Sequence, residues 1–170
     1  MELTYYELNI PSESSLEFCK FMFEQAKENM MKDGQLTPVS FIFTDEKAYM
    51  VELADLHLGK RETQLTLQSL AQHLKANEII ILSDVFLSYI PTDEVESGNV
   101  NLENFSPSKD PNGYEAICLM YASPGKQSTR VQKYRRENNS IQFEGPEEDM
   151  FGGMIDSKWT DKMWKDVVFQ

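Results

Sequence analysis

The run "EIIILSDVFLSYI", Glu78 to Ile90, constrains this chain more than any other stretch. It is aliphatic, β-branched or aromatic on both strand phases, and successive side chains of a strand leave on opposite faces. A strand of that kind is stable only when both faces are covered, so it belongs at the centre of a sheet that lies between other layers. Asp84 is the exception inside the run, in phase with Ile80, Leu82 and Phe86. A carboxylate on a buried face is costly unless it is paired or protonated. Asp84 therefore marks the point where the strand emerges, caps a neighbouring turn, pairs with a Lys or Arg, or belongs to a site; it is the best single candidate for one.

The elements around this strand follow from periodicity. After Pro11, apolar residues at Leu16, Cys19, Phe23, Ala26 and Met30 predict an amphipathic helix over 12–32. Ser14 with Glu17 three residues on reads as its capping box, and Asp33-Gly34 as its stop. Val39 to Phe43 and Ala48 to Leu53 read as a hairpin around the polar turn Thr44-Asp45-Glu46-Lys47. Leu67, Leu70 and Leu74 share one face of a second helix over 60–76, with Asn77 as its expected end cap. Beyond the central strand, Tyr114 to Ser123, Gln127 to Arg136 and Ile141 to Glu144 form a meander joined by Pro124-Gly125-Lys126 and Asn138-Asn139-Ser140. Trp159, Met163 and Val167 share a face of a short terminal helix near 156–168.

The expected fold class is therefore α+β: a largely antiparallel five- to six-stranded sheet with helices packed on it, in the order α-β-β-α-β-β-β-(β)-α. At 170 residues one domain spanning 1–170 is expected, with a core large enough to fold alone. Residues 91–112 form a polar connection with a net charge of −4, from Asp93, Glu94, Glu96, Glu103 and Asp110 against Lys109. A connection that long is functional or mobile. This order of elements resembles that of roadblock and longin domains, in which a five-stranded antiparallel sheet lies between helices. The likeness is one of element order across most of the chain, and it implies a fold rather than an activity.

Charge and composition exclude some partners. The formal net charge is −12, from 28 acids against 16 bases, which repels phosphate backbones and anionic lipid. No nucleic-acid partner and no membrane are expected, since no apolar run approaches the ~20 residues needed to cross a bilayer. The start "MELTYYELNI" lacks the basic residues and apolar segment of a secretory signal, so a cytoplasmic location is expected. The two cysteines, Cys19 on a helix stripe and Cys118 inside a strand, read as buried thiols.

The stretch "ADLHLGKRET", Ala54 to Thr63, carries the sharpest chemical motif. Its Asp55-x-His57 followed by Leu-Gly resembles the opening of the metal site of calcineurin-like phosphoesterases. That resemblance implies two-metal hydrolysis, which needs a full ligand set to hold the ions about 3.5–4 Å apart. The family's later Gly-Asp, Gly-Asn-His and Gly-His-x-His motifs are missing here, and the chain holds only His57 and His73. The motif reads instead as a strand-to-helix connector in which Leu56 and Leu58 pack and Gly59 permits the bend. A one-metal site would need Asp55, His57 and Asp84, with Glu52, to meet at one end of the sheet. His73 has no nucleophile motif to serve, and there is no Gly-x-Ser-x-Gly elbow, P-loop or Gly-x-Gly-x-x-Gly.

The basic run "KQSTRVQKYRRE" holds Lys126, Arg130, Lys133, Arg135 and Arg136. Alternation divides these charges between two faces, which suits an edge strand protected by charge. The sharper reading is an anion or acidic-partner patch, answered within the chain by "EGPEED" at Glu144 to Asp149. The expected function is that of a non-catalytic protein–protein interaction or scaffold domain that recruits a protein partner or self-associates as a homodimer, without a cofactor. The alternatives are a metal-assisted hydrolase using Asp55, His57 and Asp84, and a small-ligand module with its pocket under the 91–112 connection.

Overall fold

The computed structural model describes residues 4–9, 15–53, 60–88, 90–101, 109–124 and 126–151. In chain order they form β1 (Tyr5–Leu8), α1 (Ser15–Asp33), β2 (Val39–Phe43), β3 (Ala48–Glu52), α2 (Lys60–Leu74), β4 (Glu78–Leu87), α3 (Thr92–Glu96), β5 (Tyr114–Ser123), β6 (Lys126–Glu137), β7 (Ser140–Phe143) and β8 (Glu148–Phe151). The strands make one eight-stranded sheet in the order β1-β3-β2-β4-β5-β6-β7, with β8 also paired to β6. Every pairing is antiparallel. The α+β class is as the sequence predicts, and β4 sits at the centre. Ser14 of the predicted capping box, the Asp55 to Gly59 connector and the terminal helix near 156–168 lie outside the described residues.

The eight strands exceed the expected five or six because two short ones stand outside the periodic pattern. β1 pairs Tyr5 with Val51 and Leu8 with Ala48, and β8 pairs Arg130 with Asp149. The 91–112 connection is also not featureless, since it opens with the short helix α3.

Topology puts α1 and α2 on opposite faces of the sheet. β1 and β2 both run antiparallel to β3, so they are parallel to each other, and α1 crosses over β3 to join them. β3 and β4 flank β2 in the same way, joined by α2. The two crossovers step in the same direction across the sheet but start from strands of opposite direction. If both share the usual right hand, their helices must fall on opposite faces. The packing agrees. On one face Cys19, Phe23, Ala26 and Met30 of α1 bury against Phe41, Ile80, Leu82, Ile117 and Leu119. On the other, Leu67, Leu70 and Ala71 of α2 bury against Ile42, Val51, Ile79, Ile81, Cys118 and Met120. The alternating phases of β4 thus feed two separate cores, as the uninterrupted apolar run of that strand requires.

Two details differ from sequence expectation. Leu16, counted on the apolar stripe of α1, is 68% exposed, because contact with the sheet begins at Phe18, whose ring stands edge-on to Phe41 and Phe43. α2 ends earlier than Asn77. Lys75 takes the left-handed conformation at φ 58°, with Lys75 N donating to Gln72 O at 3.2 Å and Ala76 N to Ala71 O at 2.9 Å. This pair of bonds closes the helix with a residue other than glycine in the left-handed position. Asn77 instead joins the hairpin: its N–H donates to Phe43 O at 2.7 Å and its side-chain amide to the Asp45 carboxylate. α1 ends as predicted, at Gly34 with φ 71° and a bond from Gly34 N to Met30 O.

Candidate functional site

Asp84 lies on the α1 face of β4, opposite Ile117 on β5 and half-buried. Of the roles open to it, the structure selects emergence of the strand: beyond Leu82 the residues are no longer fully buried, and Phe86, in phase with Asp84, is 51% exposed. Its surroundings are Glu115, Tyr134 and Arg136. Glu115 is diagonal to Asp84 and directly opposite Tyr134. Burial, with the nearby charges of Glu115 and Asp84, pushes the Tyr134 phenol up to about 12. Among the described residues the buried Tyr134 oxygen makes no hydrogen bond of ordinary geometry, while Arg136 lies over its ring at 5.7 Å. Arg136 is committed to structure, since Nη1 donates to Gly34 O at 2.7 Å and Nε faces Glu115 at 3.4 Å. A cation bonded to the last carbonyls of a helix is favourably placed against the helix dipole, so Arg136 ties the end of α1 to the sheet.

The other chemical candidates do not join Asp84 among the described residues. Asp55 and His57 lie outside them. Glu52 ends β3 opposite Val39, with β2 standing between it and β4. Two strand spacings place its backbone roughly 10 Å or more from that of Asp84. His73 is exposed on α2. Among the described residues no group of three His, Cys, Asp or Glu is arranged to hold a metal. Cys19 and Cys118 are free and buried on opposite faces of the sheet, and burial pushes both thiols up to about 12. A thiol held protonated in this way is a poor nucleophile. A shallow groove of about 380 Å³ runs between α1 and the segment 35–39, over Val39 and Leu82, with Gln25, Asn29 and Asp33 on its rim.

The basic run is not an edge strand. β6 pairs with β5 along one side and with β7 and β8 along the other. Its charges are answered from within the chain, as the sharper sequence reading had it. Arg130 grips Asp149 through two bonds of 2.7 and 3.1 Å and lies 3.9 Å from Glu147. Glu147 also takes Lys27 of α1 at 2.9 Å, while Glu144 takes both Lys133 and Arg135. Buried Gln132 completes the seam, donating to the carbonyls of Glu144 and Gly145 at 3.3 and 3.2 Å. The hydrogen bond from Arg130 holds the Asp149 carboxyl below its ordinary value against a smaller effect of burial. Burial pushes the Glu147 carboxyl upward, but the Lys27 bond and the charges of Lys27 and Arg130 leave it below its ordinary value.

At the opposite margin of the sheet, β1 pairs only with β3 among the described residues, so its outer backbone edge has no strand partner there. Tyr5 and Tyr6 are 39% and 48% exposed on it. Tyr5 stands edge-on to Tyr49 at 5.6 Å, and Glu7 pairs with Lys47 at 3.3 Å. Sequence reasoning passed over this strand. Its signal was the aromatic pair Tyr5-Tyr6 between Thr4 and Ile10, ended by Pro11.

No protein-family model, no curated protein and no solved structure matches the chain. The likeness of element order to roadblock and longin domains stands on that order alone. The sheet lies between helices as the likeness implies, but with eight strands in place of five.

Proposed function

We propose that this chain is a non-catalytic protein-interaction domain of the cytoplasm that holds its partner by adding an extended strand to β1. One observation carries the reading: among the described residues the outer edge of β1 has no strand partner and is flanked by two half-exposed tyrosines. Main-chain pairing to an exposed sheet edge supplies affinity, and aromatic side chains beside it supply contact area. The preference for protein over nucleic acid is supported by the net charge of −12 and by basic residues on β6 that are already engaged by Glu144, Glu147 and Asp149. No helix among the described residues is long and apolar enough to cross a membrane.

The test is a photo-crosslinking amino acid placed at Tyr6 in cells, with a second placed at Phe21, which is 62% exposed on α1 rather than on the sheet edge. Strand addition predicts a discrete crosslinked polypeptide from position 6 and none from position 21. No product at position 6, or the same products from both positions, would overturn the reading.

A further inference from the structure

Resting on that reading, we infer that the strand received by β1 is β1 of a second copy of this chain, paired antiparallel across a two-fold axis at Tyr6. The register follows from parity. β1 places Tyr6 and Leu8 on the α1 face, opposite Met50 and Ala48, and Tyr5 and Glu7 on the α2 face, opposite Val51 and Tyr49. Residues directly opposite in an antiparallel pair share a face. A two-fold axis normal to the sheet keeps the faces in common, so a residue can meet only residues of its own parity in the second copy.

Few registers satisfy this. Centring on Glu7 sets two carboxylates directly opposite each other, a destabilising arrangement in a chain that already carries −12. Centring on Tyr5 brings together two Tyr5 rings that each already stand edge-on to Tyr49 of their own copy. Centring on Tyr6 sets the two Tyr6 rings together at the axis on one face. It places each Tyr5 opposite Glu7 of the second copy on the other face, and each Thr4 opposite Leu8. Aromatic pairs of this kind stabilise neighbouring strands, and no like charges meet.

The edge is short, like those of β7 and β8, and carries one charge, Glu7, but it lacks the other devices that normally prevent such pairing. β1 carries no Pro, no Lys and no Arg, whereas the far margin is fastened by several ion pairs. A seam of about five residue pairs is a small interface, so association in the micromolar range is expected.

The experiment measures mass by sedimentation or light scattering, across the micromolar range, for the whole chain and for Tyr6→Lys and Tyr6→Glu. The expected result is a wild-type dimer whose Kd rises about ten-fold or more in either variant alone. An equimolar mixture of the two variants should recover the dimer, because Lys and Glu then face each other at the axis. Recovery in the mixture also shows that both variants fold. Three results would overturn the inference: a wild-type monomer throughout, a dimer indifferent to both substitutions, or a mixture that stays monomeric. A wild-type monomer with a different polypeptide crosslinked to position 6 overturns the second copy but leaves the interaction reading standing.

Discussion

The two margins of the sheet solve one problem in opposite ways. Every open sheet ends in strands whose outer N–H and C=O groups await partners. On one side the chain folds back twice, laying β7 and β8 along different halves of β6 and fastening them with Arg130–Asp149, Arg135–Glu144, Lys27–Glu147 and the buried amide of Gln132. On the other side β1 is short, aromatic and open among the described residues. The difference is one of fastening: among the described residues the charged margin ends in short strands held to β6 by ion pairs, while β1 carries aromatic side chains and a single ion pair, Glu7–Lys47.

The largest expected effect removes what the margins share. Ile81 is 2% exposed in the α2-face core at the centre of β4. Ile81→Ala should cost about 2–5 kcal/mol and lower the denaturant midpoint for both margins together. If probes at β1 and β8 melted apart in this variant, the two margins would not belong to one cooperative sheet.

Gln132→Ala should separate them. It strips a buried donor from the Glu144 and Gly145 carbonyls, at a cost of about 1–3 kcal/mol. Amide exchange should accelerate at 140–151 while β1 keeps its wild-type rate; equal acceleration at both margins would deny that the seam is local.

Acid sharpens the contrast further. Asp149 and Glu147 have folded-state values depressed by Arg130 and Lys27, so each contributes stability that is present above its unfolded value and is lost as pH falls through the folded one. Loosening of β8 should therefore begin below about pH 5 and continue below about pH 4, detected by faster exchange at 148–151. An exchange profile for β8 that follows only the intrinsic chemical rate across that range would remove the clasp from the account of this margin.

The smallest expected effect lies in the β6–β7 turn. Asn138 and Asn139 sit at φ 51° and 63°, the signs that a two-residue type I′ hairpin demands. Asn139→Gly supplies the residue that favours this conformation and should stabilise the fold by about 0.5 kcal/mol, read as a small rise in Tm, with no change at β1.

Much of the frame was legible in the sequence, for reasons that differ by element. β4 announced itself because two-sided burial needs apolar residues on both phases. α1, α2 and the β2–β3 hairpin did so because one-sided burial leaves a clear period. β1 and β8 did not, because four residues carry too little periodicity and the partners that order them lie far off, 19 residues away in the case of Arg130 and Asp149. The same distance explains why β6 reads as an edge: its charges look solvent-bound until the acids that meet them are folded back. The end of α2 was missed because a Lys, not the Asn two residues on, takes the left-handed position. Among the chemical candidates, the phase of Asp84 left emergence of β4 as one of several roles, and the loss of full burial beyond Leu82 favours it. Asp55 and His57 fall outside the described residues, and Glu52 is set apart from Asp84 by the width of β2.

The most direct measurement is amide hydrogen exchange, resolved by segment and followed as protein concentration rises through the micromolar range. Strand addition at β1 predicts that residues 5–8 gain protection with concentration while 140–143 and 148–151 stay constant. Protection that grows at the charged margin instead, or that is independent of concentration everywhere, would contradict an open tyrosine edge that pairs with a second copy.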